Sequence, residues 1–196
     1  MPEALTLNNP AQAQRSVGVT TRLPSCVPEG RALIHNTIII TSLRYINMSY
    51  IQSFYHIVFR TYRSEQTISL EHDRELYAII MEQTNNMHGK IYRIGGMPDH
   101  VHIFVSLPAT ISVAQYVQAA KTFTSKWLKA NPNFPYFNGW AHENAALSYS
   151  IHDKDKIVNY IKGQKEHHKR VSFAEEYRAL LEESGLAIRE EYFLKD

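Results

Sequence analysis

Residues 90–107 read KIYRIGGMPDHVHIFVSL and contain two runs rich in β-branched and aromatic side chains. The runs Lys90 to Met97 and His100 to Leu107 have the composition of β-strands. The Met97-Pro98-Asp99 segment between them is typical of a tight turn. The stretch therefore predicts a β-hairpin.

The sequence on either side of the hairpin supplies two further strands and two helices. The predicted elements are a strand from Ser53 to Thr61, a helix from Glu71 to His88, a helix from Val113 to Ala130, a strand from Ala145 to Ser150 and a basic helix after Asp153. The order β-α-β-β-α-β is the split β-α-β arrangement, in which two helices cover one face of a four-stranded antiparallel sheet. We predict an α+β fold, a ferredoxin-like or RRM-like sandwich with an extra C-terminal helix.

Length and composition limit the class of protein. The chain has 196 residues, of which 44% are hydrophobic and 20% charged, as expected for one compact domain. No apolar run approaches the roughly 18 residues of a membrane span, and we find no secretory signal, so we expect a cytoplasmic protein with no membrane partner. The single cysteine, Cys26, excludes an internal disulfide and a thiolate metal cluster.

Residues 1–47 differ in character from the rest of the chain. They show no sustained hydrophobic period and contain a turn-rich stretch from Pro24 to Gly30. We predict a poorly ordered arm there and a single domain over residues 48–196. Met48 directly precedes the first patterned strand, so one hypothesis is that translation starts at Met48. The competing interpretation is a regulatory or DNA-contacting arm.

Charge is distributed unevenly along the chain. The formal net charge of +2 lies entirely within the first 47 residues, and the remaining sequence balances. A uniformly basic coat for nucleic acid is therefore excluded, and any such surface must be a local patch. The segment from Lys154 to Arg170 is such a patch, and an acidic tail follows it. A solvated helix face is the simpler interpretation of the same charges.

His100 and His102 form the first candidate site. Residues two apart in a strand point to the same face, so the two imidazoles can share one cation, while Val101 and Ile103 face the core. A His-x-His pair taken alone is more often structural or surface-exposed than metal-binding.

Tyr160 and Gln164 form the second candidate site. Their i, i+4 spacing places them on one face of the basic helix. Because Ile157 and Ile161 flank Tyr160, a tyrosine at the rim of a buried stripe is the competing interpretation. A phenol has a pKa of about 10, so at neutral pH it is a poor nucleophile unless its oxyanion is stabilised or a base takes its proton.

Taken together, the two features resemble a known family. The segment from Gly95 to His102, followed by Tyr160-Ile161-Lys162-Gly163-Gln164, is similar to the single-tyrosine HUH transposases of small bacterial insertion sequences and to the related REP-associated tyrosine transposases. The resemblance extends from about Met48 to the C-terminus.

The resemblance implies a site and a reaction. It implies that His100, His102 and Gln164 hold a divalent metal, Mg or Mn, and that Tyr160 attacks single-stranded DNA to give a 5′-phosphotyrosine. It also implies hairpin-ended DNA as substrate, a homodimer and no nucleotide cofactor, and leaves open whether the tyrosine acts within its own subunit. His167 and His168 are alternative ligands or proton carriers.

Basic side chains near these motifs are the predicted DNA contacts. They are Lys121, Lys126, Lys162, Lys165, Lys169 and Arg170.

Two other functions remain open from the sequence. One is a catalytically inactive or domesticated descendant that binds hairpin DNA. The other is a zinc-dependent hydrolase that uses the His pair to activate water.

Overall fold

The computed structural model describes residues 50–196. The predictions for residues 1–47 and for a start at Met48 therefore lie outside the described part of the chain. Within residues 50–196, no helix has both the length and the apolar character that crossing a membrane would require.

In the part of the chain that the structure describes, four strands form one antiparallel sheet in the order β2-β3-β1-β4. The strands are β1 (Phe54–Thr61), β2 (Lys90–Met97), β3 (His100–Ser106) and β4 (Trp140–Tyr149). This order confirms the predicted ferredoxin-like α+β fold. The prediction placed the start of β4 at Ala145, which is wrong, because the strand already begins at Trp140. The Trp140 indole packs edge-on against the Phe59 ring at 4.7 Å, and this contact holds the polar first half of β4 against β1.

Within residues 50–196, five α-helices cover the two faces of the sheet. They are α1 (Asp73–Asn86), α2 (Val113–Ala130), α3 (Lys154–Lys162), α4 (Gln164–His167) and α5 (Phe173–Glu183). The prediction of one extra basic helix is corrected, because the basic segment divides at Gly163 into α3 and the single turn α4. The acidic tail supplies the further helix α5, which begins at a capping box between Ser172 and Glu175.

The main core lies between the sheet and the first two helices. Val101 and Ile103 of β3 are fully buried there, as their alternation with the histidines predicts. They pack with Leu76 and Ile80 of α1 and with Tyr116 of α2. The opposite face of β3 therefore carries His100 and His102.

A buried hydroxyl pair joins α1 to α2 within this core. The hydroxyls of Tyr116 and Thr84 lie 2.8 Å apart, and burial raises the pKa of Tyr116 to about 12.

This raised pKa makes the stability of the protein depend on pH. Because the pKa of Tyr116 is higher in the folded protein than the value near 10 of the unfolded chain, the protonated phenol contributes its full stability below pH 10, and that stability is lost as the pH rises toward 12. Between pH 8 and pH 11, ionisation of Tyr116 should lower the unfolding free energy of the wild type by about 1.4 kcal/mol. Tyr116→Phe should lack this part of the loss. Urea titrations of both proteins at pH 8 and 11 measure it, and equal alkaline losses would contradict it.

The second face of the sheet is also covered. Val58 and Leu147 pack beneath Phe173, Tyr177 and Leu180, so α5 lies over β1 and β4. Phe54 and Phe104 pack with Ile157 and Ile161 of α3 in a neighbouring cluster. The His pair lies on this covered face, beneath the C-terminal helices.

Candidate active site

Strand β3 presents the two predicted histidines side by side. His100 and His102 are both fully buried, and their ring centroids are 4.9 Å apart. The two side chains therefore lie on the same face of β3, as the alternation of the strand predicts.

Each histidine uses its Nδ1 atom in a contact away from the site centre. His100 Nδ1 lies 2.6 Å from Asp99 Oδ1, and His102 Nδ1 lies 3.0 Å from His56 Nε2. His168, which follows α4, donates from Nδ1 to the Val171 carbonyl at 2.9 Å. The Asp99 carboxylate and the Val171 carbonyl accept hydrogen bonds, so they orient His100 and His168 with the Nε2 lone pair toward the site centre. In the His102–His56 contact either nitrogen can be the donor.

The carboxylate of Glu176 enters the site from α5. Its Oε2 atom lies 2.9 Å from His168 Nε2, 3.5 Å from His102 Nε2 and 3.8 Å from His100 Nε2. Glu176 is only 3% exposed. One donor atom from each of the four residues lies within 4.8 Å of all the others, an arrangement that could hold a metal ion.

Tyr160 and Gln164 contact the other oxygen of the same carboxylate. The Tyr160 hydroxyl and the Gln164 Nε2 atom both donate to Glu176 Oε1, the amide at 2.7 Å. The break at Gly163 therefore leaves the predicted pair together. Gln164 is buried, and its Oε1 atom has no hydrogen-bond partner among residues 50–196.

Burial and the Glu176 charge set the protonation states in the site. Burial lowers the pKa of His56 to about 3 and that of His102 to about 4, so both rings are neutral at pH 7. Burial, together with the nearby carboxylate, raises the pKa of the Tyr160 phenol above its usual range. Burial opposes ionisation of Glu176, but contacts with His102 and Tyr160 outweigh it and hold its pKa below the usual range. The phenol is therefore protonated and the carboxylate ionised.

The predicted DNA contacts divide between the two faces of the sheet. Lys162, Lys165, Lys169 and Arg170 are exposed on the segment that carries Tyr160 and Gln164. Lys121 and Lys126 belong to α2, on the other face. The Lys121 ammonium donates to three carbonyl groups of β4, at 2.9 to 3.1 Å, and burial lowers its pKa to about 8. This geometry gives Lys121 a structural contact with β4.

A basic groove lies next to the site. It has a volume of about 510 Å³, and Gln164 is one of the residues that line it. The groove is also lined by two tyrosines and four basic side chains: Tyr77, Tyr92, Arg74, Arg93, Lys162 and Lys165.

Sequence reasoning missed three members of this site. Asp99 and His56 were seen only as a turn residue and a strand residue, although Asp99 directly precedes His100. Glu176 stood in an acidic run that is typical of a solvated helix, so no local signal marked it. His168, considered only as an alternative ligand, lies inside the cluster.

The sequence model of the family described as "Transposase IS200 like" matches residues 49–164. The chain belongs to the IS200-like transposase family. The matched segment holds His100, His102, Tyr160 and Gln164, and it ends before His168 and Glu176.

Two solved structures resemble this IS200-like transposase. A candidate transposase from Deinococcus radiodurans R1 is 22% identical, with a TM-score of 0.46, covering 60% of this chain and 94% of that one. A REP-associated tyrosine transposase bound to a REP hairpin is 15% identical, with a TM-score of 0.49, covering 63% of this chain and 73% of that one. No curated protein matches the chain.

Proposed function

We propose that this transposase cleaves and rejoins single-stranded DNA, with Tyr160 as nucleophile and a divalent cation beside His100 and His102. The observation that supports this most directly is the position of the Tyr160 hydroxyl. It lies in the same buried cluster as the His pair, and Glu176 contacts both. The Tyr160 ring also packs at the rim of two hydrophobic clusters, and its hydroxyl joins that rim to the buried carboxylate.

The residues present fit a divalent cation. Imidazole nitrogens, a carboxylate and an amide oxygen are common ligands of such ions, and several of these atoms have no hydrogen-bond partner within residues 50–196. We propose Mn or Mg as the ion, as the family resemblance implies. When bound, the ion would polarise the scissile phosphate and offset the charge on the leaving oxygen.

The chain's own groups account for the transfer step. The Tyr160 oxygen forms a bond to phosphorus, and the bond from phosphorus to the 3′-oxygen breaks. The phenolic proton has Glu176 Oε1 as its nearest acceptor, and the departing 3′-oxygen takes up a proton to become a free 3′-hydroxyl. The 5′-phosphotyrosine conserves the ester, so a second 3′-hydroxyl can reverse the step without a nucleotide cofactor.

Tyr160 lies beside the His pair of its own chain, which supports action within one subunit. We propose hairpin-bearing single-stranded DNA as the substrate. The homodimer stays a prediction.

A search for a covalent adduct tests the proposed function. The protein is incubated with single-stranded oligonucleotides copied from the DNA that flanks its gene, with Mn or Mg and with chelator. We expect a metal-dependent protein–DNA adduct on a denaturing gel, and mass spectrometry should place the phosphotyrosine at residue 160. Tight hairpin binding without an adduct would favour the inactive descendant. Cleavage without an adduct would favour a water-using hydrolase.

The basic groove suggests where the strand approaches Tyr160. Lys162 and Lys169 are exposed next to the site, whereas Lys129 is exposed on α2, on the other face of the sheet. Because each phosphate contact adds to the salt dependence of binding, the variant Lys162→Glu in the groove should weaken single-strand binding about fivefold and flatten its salt dependence. Fluorescence anisotropy over a salt series measures both.

Lys129→Glu is the matched control for this charge reversal. It changes the same type of residue on the opposite layer, so we expect its affinity to stay within about twofold of the wild type. Equal losses in both proteins would indicate a general charge effect and would contradict the proposed path.

A further inference from the structure

We propose that His168 and Glu176 join His100 and His102 as ligands of the divalent cation, giving a centre of three histidines and one carboxylate. The inference rests on the proposed function for the presence of a cation at this site. It adds two ligands from beyond residue 164, where the family match ends, and it gives Gln164 a different task.

The separations between donor atoms fit a single ion. Metal–ligand distances near 2.1 Å place the donors of a four-coordinate ion about 3.4 Å apart. Glu176 Oε2 lies 2.9, 3.5 and 3.8 Å from the Nε2 atoms of His168, His102 and His100. These separations fall on both sides of the expected value.

The orientation of two of the three rings also fits. The Val171 carbonyl can only accept a hydrogen bond, so the Nδ1 atom of His168 carries the proton and Nε2 offers a lone pair. Asp99 fixes His100 in the same way. These are the outer partners that metal-bound histidines usually have.

The buried lone pairs need a positive partner. Nε2 of His100, His102 and His168 and Oε2 of Glu176 have no hydrogen-bond partner among the described residues, although they face one another. Gln164 Oε1 also has none, but the Nε2 atom of the same side chain already donates to Glu176. Buried polar atoms are rarely left in that condition. A proton would connect only two of these atoms, whereas one cation satisfies all four.

Gln164 acts on this centre as a positioning residue. Its Nε2 atom donates to Glu176 Oε1, so the amide holds the carboxylate whose other oxygen faces the histidines. Three imidazoles favour a transition metal, because Mg²⁺ prefers oxygen ligands and retains water. We therefore expect Mn²⁺, Co²⁺ or Zn²⁺ to bind far more tightly than Mg²⁺.

Cobalt binding in the absence of DNA tests the ligand set. The full chain is stripped with chelator and titrated with Co²⁺, followed by calorimetry and visible absorption. We expect Gln164→Ala, which removes an outer partner of the carboxylate, to weaken binding about 10- to 100-fold, and Glu176→Gln and His168→Ala each to weaken it further. Glu182→Gln on α5 and His152→Ala, both exposed, are the matched controls and should bind as the wild type does.

X-ray absorption of the wild-type cobalt protein gives a result that does not depend on how the variants fold. Three coordinated imidazoles support our assignment, and two would overturn it. Full Co²⁺ affinity in Glu176→Gln and His168→Ala would also overturn it, while a metal-dependent adduct would leave the proposed function intact. Conversely, cobalt binding by all four residues without any DNA adduct would support the metal centre and contradict the proposed function.

Discussion

Tyr160→Phe should lower the rate of adduct formation on single-stranded DNA by at least about 10⁴-fold, because phenylalanine has no oxygen with which to attack phosphorus. The substitution removes one buried hydroxyl and keeps the ring that packs beside His56 and His102. The fold should therefore stay close to that of the wild type, whereas Co²⁺ affinity should fall about as far as in Gln164→Ala, because both side chains donate to Glu176 Oε1. Quantified denaturing gels over a time course measure the rate.

Tyr149→Phe provides the matched control for this prediction. Its ring lies 6.3 Å from that of His56, so it removes another partly buried hydroxyl from the same neighbourhood without touching the proposed nucleophile. We expect its rate of adduct formation to fall less than tenfold. Adduct formation by Tyr160→Phe at the wild-type rate would show that another group attacks the phosphate.

Gly96→Ala should destabilise the protein by about 3 kcal/mol and lower its Tm by roughly 10 °C. A Cβ atom at this position would overlap the carbonyl oxygen of His100 and lie 3.0 Å from the Val101 Cα atom. Both are backbone atoms at the start of β3, so the clash cannot be relieved by rotating a side chain. Relief requires a shift of the backbone that carries His100, and Co²⁺ affinity should fall as well.

Gly163→Ala distinguishes this clash from a general intolerance of glycine substitution. A Cβ there would meet its nearest atoms at 3.5 Å, and the residue already has helical backbone angles. We expect its unfolding free energy to change by less than about 1 kcal/mol. Thermal and urea unfolding of the two variants measure the difference. Equal stability of Gly96→Ala and the wild type would contradict the geometry of this hairpin.

Much of the fold could be predicted because it depends on local patterns. The alternation around Val101 separates core from site, and the Met97-Pro98-Asp99 turn sets the hairpin. The start of β4 could not be predicted, since the polar residues after Trp140 have little strand propensity of their own. Packing of the Trp140 indole against Phe59, a contact between distant parts of the sequence, decides it.

Local spacing along the chain predicted part of the site, and contacts between distant elements determine the rest. Spacing brought Tyr160 and Gln164 together even though the helix divides at Gly163, because the break stays near helical geometry. Lys121 illustrates a long-range contact. Its role in DNA binding stays a prediction, and its ammonium also donates to three carbonyl groups of β4, which no local pattern in the sequence indicates.

Local patterns in the sequence predict the order of the elements, the shared face of His100 and His102, and the pairing of Tyr160 with Gln164. Each follows from a period of two or of about four residues along one element. Only the tertiary structure brought His168 and Glu176 into the cluster, because that depends on α5 folding back over the sheet. The burial of a glutamate among three histidines is a property of packing between elements. The same carboxylate looks like ordinary surface charge in the sequence.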